Sequence, residues 1–405
     1  MATPWMTSDQ LIAAVKRKIS FPSEQSTFTD QEILDFANEE MMSTQVPSIL
    51  QYHEDYFVFF EDVTLEENKL KYMIPNRAIG MKLQDVGYVD SQGTVHEMIR
   101  VDSGDKSYYN RTNTNVDRNY AAYYTEGNRI VLVNTNITNP TGSLRFFYYL
   151  RPNQLVPNSR ALIISDFQES ITIDNSSLVA GDSLTIGSTS FIAGTDFIIG
   201  ATSILTASNL VTAINAASLS NVTASESSPT SATFTVDYED RDLTFSSSNT
   251  SAIVLSSSFG IKFTTDVSSI YSSGLKVDFL QTEPGHRTYA INVIIPSSSI
   301  SGSVMEFTTA DVPEDLVVGD YICLANECII PQIPPELHTT LAERASARIL
   351  AALGDMEGLN ITSGKIGEME RNQEQMLNNR VDKSPQKIIN RNSLLRYGKS
   401  IFRRY

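Results

Sequence analysis

Residues 333–354 read Ile333-Pro-Pro-Glu-Leu337-His-Thr-Thr-Leu341-Ala-Glu-Arg-Ala345-Ser-Ala-Arg-Ile349-Leu-Ala-Ala352-Leu353-Gly354. Leu337, Leu341, Ala345, Ile349 and Ala352/Leu353 recur at helical spacing. Proline precedes them, where a first turn needs no N–H, and Gly354 closes the run. This is the strongest helix in the chain, and its apolar stripe needs a cover. Two helical segments at the opposite end can supply one. Thr29 with Glu32 makes a capping box, in which hydroxyl and carboxylate satisfy orphan backbone donors, and Phe28 with Ile33 stands at staple spacing around it. Thr7 with Gln10, flanked by Met6 and Leu11, repeats the device, with Leu11, Ala14/Val15 and Ile19 as its face. The second helix is expected to reach about Thr44 and to stop at Pro47.

Between these ends the period changes to that of strands. Tyr56 to Phe60, Val86 to Val89, Val95 to Val101, Ile130 to Val133 and Leu144 to Leu150 are β-branched or aromatic runs, separated by turns such as Asp90-Ser-Gln-Gly93 and Glu126-Gly-Asn128. They predict an antiparallel β domain whose last strand breaks at Leu150-Arg-Pro152. From about Phe167 to Gly260 the composition shifts to Ser and Thr. Ser183 to Gly187 and Thr189 to Ala193 read as a hairpin about Gly187-Ser188, Thr206 to Ala217 as a short helix, and Ala232 to Tyr238 and Leu243 to Ser246 as strands. Alternation of Ser/Thr with Ile, Val, Leu and Phe marks half-buried strands, so a folded insert is expected there. Strand signals resume at Gly274 to Leu280, Tyr289 to Ile295, Val304 to Thr308 and Asp320 to Ile330. The insert therefore reads as interrupting one β domain. A further helix is expected over roughly Ile366 to Asn379.

The fold class expected is α+β. Terminal helices (1–50 and 331–379) form a bundle, a large antiparallel β domain (51–166 and 261–330) lies between them, a small module (167–260) is inserted, and an extended arm (380–405) follows.

That arm carries the wrong sign for the rest of the chain. From Met376 to Tyr405, eight Lys/Arg (Arg380, Lys383, Lys387, Arg391, Arg396, Lys399, Arg403 and Arg404) face the single acid Asp382, a local charge of +7 in a chain of net charge −16. Such a block cannot bury enough surface to fold alone, and works as an arm held by a partner. Of three readings, a grip on nucleic-acid phosphates, an inert solvated tail and docking on an acidic protein, the last is favoured, because the remaining charge of −23 repels phosphates.

Composition excludes several other functions. At 405 residues with 41% apolar content the chain can bury ordinary cores over two or three domains. Met1 to Met6 lack a basic start and an apolar run, and no apolar stretch approaches the ~20 residues of a membrane span, so neither export nor a membrane is expected. Cys323 and Cys328 could face each other across a short hairpin, but read better as small buried thiols. Only His338 lies near them, so no metal is expected. His53, His96, His286 and His338 are scattered without metal-ligand or catalytic spacing. No phosphate-binding glycine loop occurs, and the adjacent acids Glu39-Glu40, Glu54-Asp55, Glu61-Asp62 and Glu66-Glu67 read as solvated rather than as glycosidase carboxylates. No cofactor and no enzyme activity are expected.

The chain resembles a tailed-bacteriophage head-to-tail adaptor, the neck protein that docks below the portal ring. The resemblance rests on Ile330 to Leu350, Ala351-Ala-Leu-Gly-Asp-Met-Glu-Gly358, the arm Arg380 to Arg391 and the opening helices. Gly181-Asp-Ser-Leu-Thr-Ile-Gly187, Gly194-Thr-Asp-Phe197 and Ala207 to Asn215 are similar to a small module inserted in various phage virion proteins. It implies a structural virion protein of the neck, assembled in the host cytoplasm as a ring of about twelve copies. Its arms bind the portal, its distal side meets tail or nozzle proteins, and genomic DNA passes without sequence-specific binding. Portal contacts would come from Arg380, Lys383, Lys387, Ile388, Arg391, Leu394, Arg396, Lys399, Phe402, Arg403, Arg404 and Tyr405. The alternative is a tail fibre or baseplate component with a glycan-binding insert. That insert's aromatics (Phe167, Phe191, Phe197, Phe234, Tyr238 and Phe245) are mostly Phe in strand patterns, which favours packing over sugar recognition.

Overall fold

Two capping boxes start the polypeptide, and both form. In the computed structural model, which describes residues 5–19, 28–67, 69–102, 104, 122–133, 142–267, 270–282, 287–297 and 300–377, helix α1 (Ser8–Lys18) is capped by Thr7 with Gln10, and α2 (Asp30–Glu40) by Thr29 with Glu32. Phe28 meets Phe36 edge-on, with ring centroids 6.0 Å apart. Pro47 does not end the helical path. A π-helical turn, Met41–Gln45, follows α2, and α3 (Val46–Tyr52) begins beyond it. The wide turn lies directly before Pro47, where its altered hydrogen-bond pattern accommodates a residue without an N–H.

The chain is mixed α+β and divides into two compact units, one of Met1–Gln45 with Pro152–Ile366, the other of Val46–Arg151 with Gly367–Tyr405. The second unit carries strands β1 (Val58–Thr64), β2 (Lys71–Met73), β3 (Ala78–Val89), β4 (Val95–Glu97), β5 (Ile99–Arg100), β6 (Ala122–Glu126), β7 (Arg129–Leu132) and β8 (Ser143–Leu150). They make two four-stranded sheets, ordered β1-β8-β3-β4 and β2-β7-β6-β5. Alternation sets the faces: Leu144, Phe146 and Tyr148 of β8 are buried, whereas Arg145 and Phe147 are half-buried on the other side. The turn Gly127-Asn128 closes a hairpin in which Glu126 pairs with Arg129.

In the first unit come β9 (Gln154–Leu155), β10 (Leu162–Ile173), β11 (Ser183–Ile186), β12 (Thr189–Ile192), helix α4 (Ser203–Ala216), β13 (Val222–Glu226), β14 (Thr233–Tyr238), β15 (Phe245–Ser247), β16 (Ile253–Leu255) and β17 (Ser258–Phe263). Then follow β18 (Lys276–Leu280), β19 (Thr288–Ile294), β20 (Ile300–Ser301), β21 (Val304–Thr308), β22 (Tyr321–Leu324) and β23 (Glu327–Cys328). Ten of these strands form one sheet around β10. The division differs from the sequence expectation of one β domain over 51–166 and 261–330. Among the described residues, strands before Arg151 pair only with one another, and β10 pairs instead with β14, β16, β17 and β22.

The expected insert edges, Phe167 and Gly260, lie inside β10 and β17. These strands are long enough to enter two cores. One half of β10 contributes Leu162, Ile164 and Phe167 to a core with Phe259, Ile261, Phe279 and Phe307. The other half contributes Ile171 and Ile173 to a separate core of Leu184, Phe191, Phe197, Leu210, Ile214, Phe234 and Ile253. Thus the module has its own apolar centre, drawn from residues 171–253. Its hairpin forms as read, Ile186 opposite Thr189.

Helix α5 (His338–Leu353) ends at Gly354 in the left-handed conformation, φ 75°. Helix α6 (Met356–Leu377) follows at once, nearly three turns ahead of the expected Ile366, because Asp355 accepts the Gly358 N–H at 2.9 Å and caps the new start. Both α1 and α2 pack on α5. Ile33, Leu341, Ala345 and Ile349 are all buried.

Candidate functional site

Where α1 and α2 meet α5, buried charge marks the contact. Glu40, only 4% exposed, ends α2 and faces Arg344 and Arg348, one turn apart on α5. Arg344 Nη1 donates to Glu40 Oε2 at 3.0 Å and Arg348 Nε to Oε1 at 2.5 Å. Burial opposes the Glu40 charge, but the hydrogen bonds and charges of Arg348 and Arg344 outweigh it and hold the carboxyl below its ordinary value. Lys18, at the end of α1, pairs with Glu343 of α5. At the other end of α5, the Met6 N–H donates to Nδ1 of buried His338 at 2.9 Å, and the Ser8 N–H donates to the Ile329 carbonyl at 2.7 Å. The Pro-rich lead-in is held as well: Asn153 N–H donates to Gln332 Oε1 at 2.7 Å, and Asn153 Nδ2 to fully buried Asp278 at 2.9 Å. These groups join the two chain ends through side chains that packing alone would not have required.

Past α6 the chain leads into the basic arm. Its expected contact residues Arg380, Lys383, Lys387, Ile388, Arg391, Leu394, Arg396, Lys399, Phe402, Arg403, Arg404 and Tyr405 lie outside the described residues, as does His286.

Other chemistry-bearing residues serve the fold. Both cysteines are buried thiols outside any disulfide, flanking the turn Ala325-Asn326; the Cys328 thiol donates to the Asn153 carbonyl at 3.4 Å, and burial pushes the Cys323 thiol well up. His96 lies 3.0 Å from Asp90 in an exposed hairpin. Among the described residues no group of three or more His, Cys, Asp or Glu could hold a metal, and no helix is long and apolar enough to cross a membrane. The insert's aromatics are packed, Phe245 half-buried and the other five buried, and Phe245, Tyr238, Phe167 and Phe259 form a chain of rings at 5.1, 6.0 and 5.5 Å. Between the two cores lies Glu169, on the same face of β10 as Phe167 and Ile171. Burial and, secondarily, Glu306 push its carboxyl up to about 7, against the hydrogen bond from the Ser256 N–H at 3.0 Å.

Periodicity did not reveal the exposed apolar side chains. On the second unit Phe60 is 51% exposed beneath the Arg145 guanidinium, which is paired bidentately with Asp62 at 2.8 and 2.7 Å. At one end of the module Val179, Ile192, Ile198, Ile204 and Leu205 are exposed together. A residue whose neighbour at odd spacing is buried looks like an ordinary strand or helix position in sequence, so the only available signal was the absence of a polar partner in Phe197-Ile-Ile199 and Ile204-Leu205.

No protein family matches the chain, and no curated protein does. Among solved structures, the flagellar cap protein FliD of Escherichia coli, domains D1-D2-D3, aligns over 83% of this chain and 74% of that chain, at 10% identity and a TM-score of 0.17. A likeness of that size carries no argument about fold or function.

Proposed function

We propose that the chain is a structural virion protein, a head-to-tail adaptor that forms a ring below the portal and passes the genome to the tail. One observation carries the reading. Helices from the two ends of the sequence are locked together by Glu40, Arg344, Arg348, Lys18 and Glu343, and the helix that follows leads directly to a segment of +7 charge. In this reading α1, α2 and α5 are the helical part of the adaptor, and the arm follows α6 in the chain. The arm lies extended on the portal, with Arg391, Arg396, Arg403 and Arg404 meeting acids and Ile388, Leu394 and Phe402 filling apolar pockets. Anchors must accompany charges, because charge alone would be lost in salt. The acidic remainder faces passing DNA without gripping it. The reading assigns no reaction, cofactor or membrane contact to the chain.

The test is truncation after Asn379. The shortened chain should keep its fold by circular dichroism and lose attachment to purified portal in co-sedimentation. Undiminished portal attachment would overturn the proposal. Salt-steep DNA binding by the full chain, lost on truncation, would favour a nucleic-acid arm instead.

A further inference from the structure

The module's exposed apolar end is built from three stretches stitched by hydrogen bonds. Gly181 N–H donates to the Ala193 carbonyl at 3.0 Å, Gly194 N–H to the Phe197 carbonyl at 2.8 Å, and Asn209 Nδ2 to the Ile198 carbonyl at 2.8 Å. Gly200 N–H donates to Thr206 Oγ1 at 2.8 Å. Residues 179–181, 192–200 and 204–209 thereby form one surface. On it Ile198 is 75% exposed, Val179 60% and Leu205 50%, with Ile192 and Ile204 beside them. So dense a group of exposed aliphatic side chains is the mark of an interaction surface.

The chemistry of its surroundings narrows the occupant. No Lys or Arg occurs from Phe167 to Asp240, and residues 167–260 hold nine acids against Arg241 alone. Asp174, Asp182 and Asp196 lie in or beside the same loops. Without a cation the surface cannot take phosphates of nucleic acid or anionic lipid. Without an exposed aromatic ring it offers no platform for sugar. What complements it is a polypeptide carrying Lys and Arg among large apolar side chains. The chain contains such a segment, residues 378–405, where Arg380, Lys387, Arg391 and Arg396 alternate with Ile388, Ile389, Leu394 and Phe402.

We infer that the apolar, acid-rimmed end of the module is a docking site for residues 378–405 of a second copy of this chain. The free protein therefore self-associates reversibly, arm on module, and any protein that captures the arm more tightly releases the module. The inference rests on the arm's composition and on the module surface, and stands whichever protein finally takes the arm.

Sedimentation equilibrium of the full chain tests it. Wild type should associate in a concentration-dependent way, excess synthetic peptide 378–405 should dissociate it, and Ile198→Lys with Leu205→Lys should weaken association by at least about tenfold. Both substitutions replace exposed side chains, and Val179→Lys supplies an independent variant should either disturb α4. A chain that stays monomeric, an association indifferent to the peptide, or one unchanged by all three lysines would overturn the inference. Portal attachment separates it from the adaptor reading. The lysine variants should still attach to portal, so association that fails these tests while attachment survives removes this inference alone. Association that behaves as stated while portal is ignored removes the other.

Discussion

Replacing Glu169 by Gln should stabilise the protein above neutral pH and do nothing for it in acid. The carboxyl is pushed from its ordinary 4.5 up to about 7 because it lies between two apolar cores. A raised acid pKa means that the folded state holds the proton over a window where the unfolded state has lost it. Stability is therefore full below about 4.5, falls as pH rises through the window, and reaches its floor above about 7. Each pK unit corresponds to about 1.4 kcal/mol, so the shift would reach roughly 3 kcal/mol for a fully buried group. Partial exposure of Glu169 and solvent screening reduce that to about 1–2 kcal/mol. Gln keeps a carbonyl oxygen for the Ser256 N–H and carries no charge to desolvate. Urea unfolding of wild type and Glu169→Gln at pH 4.5 and pH 8 reads the difference directly. Equal stability in acid and a gain for the variant at pH 8 are expected. A variant that is weaker at pH 8, or that keeps the wild-type pH slope, refutes the reasoning.

Other changes follow from the same contacts. Glu40→Ala removes the buried carboxylate that Arg344 and Arg348 share and should cost about 2–4 kcal/mol by chemical denaturation, whereas Arg348→Met, at a half-exposed partner, should cost under about 1 kcal/mol. Phe234→Ala empties the module's centre and should cost about 3–5 kcal/mol, and hydrogen exchange should localise the loss to residues 171–253. Gly354→Ala forces an L side chain into φ 75° between α5 and α6, and should lower stability by about 1 kcal/mol with no change in portal attachment.

Local chemistry was legible in the sequence, and non-local pairing was not. The boxes at Thr7 and Thr29, the Gly187-Ser188 hairpin and the Gly354 cap each depend on residues within four positions, and all form as their residue types require. Pro47 misled because a π-turn upstream changes which N–H groups are needed, and nothing in Met41–Gln45 announces that turn. The division of the strands was hidden for a different reason. A strand's face is written in its alternation, but its partner is chosen by the fit of whole sheets, so β10 could be read as a strand without showing that it joins two cores. The exposed Ile198 and Leu205 belong with these, since only solvent exposure distinguishes them from core positions. Of the candidate site, the arm's charge could be read directly, while the Glu40 link between the two chain ends, roughly 300 residues apart, needed the fold.

The proposed role reduces to a stoichiometry. Full-length chain mixed with purified portal and weighed by native mass spectrometry should give one complex in which the copies of this chain match the portal subunits, about twelve of each in a closed ring. A complex of three copies that ignores portal, as a fibre would form, or no complex at all, would contradict the account.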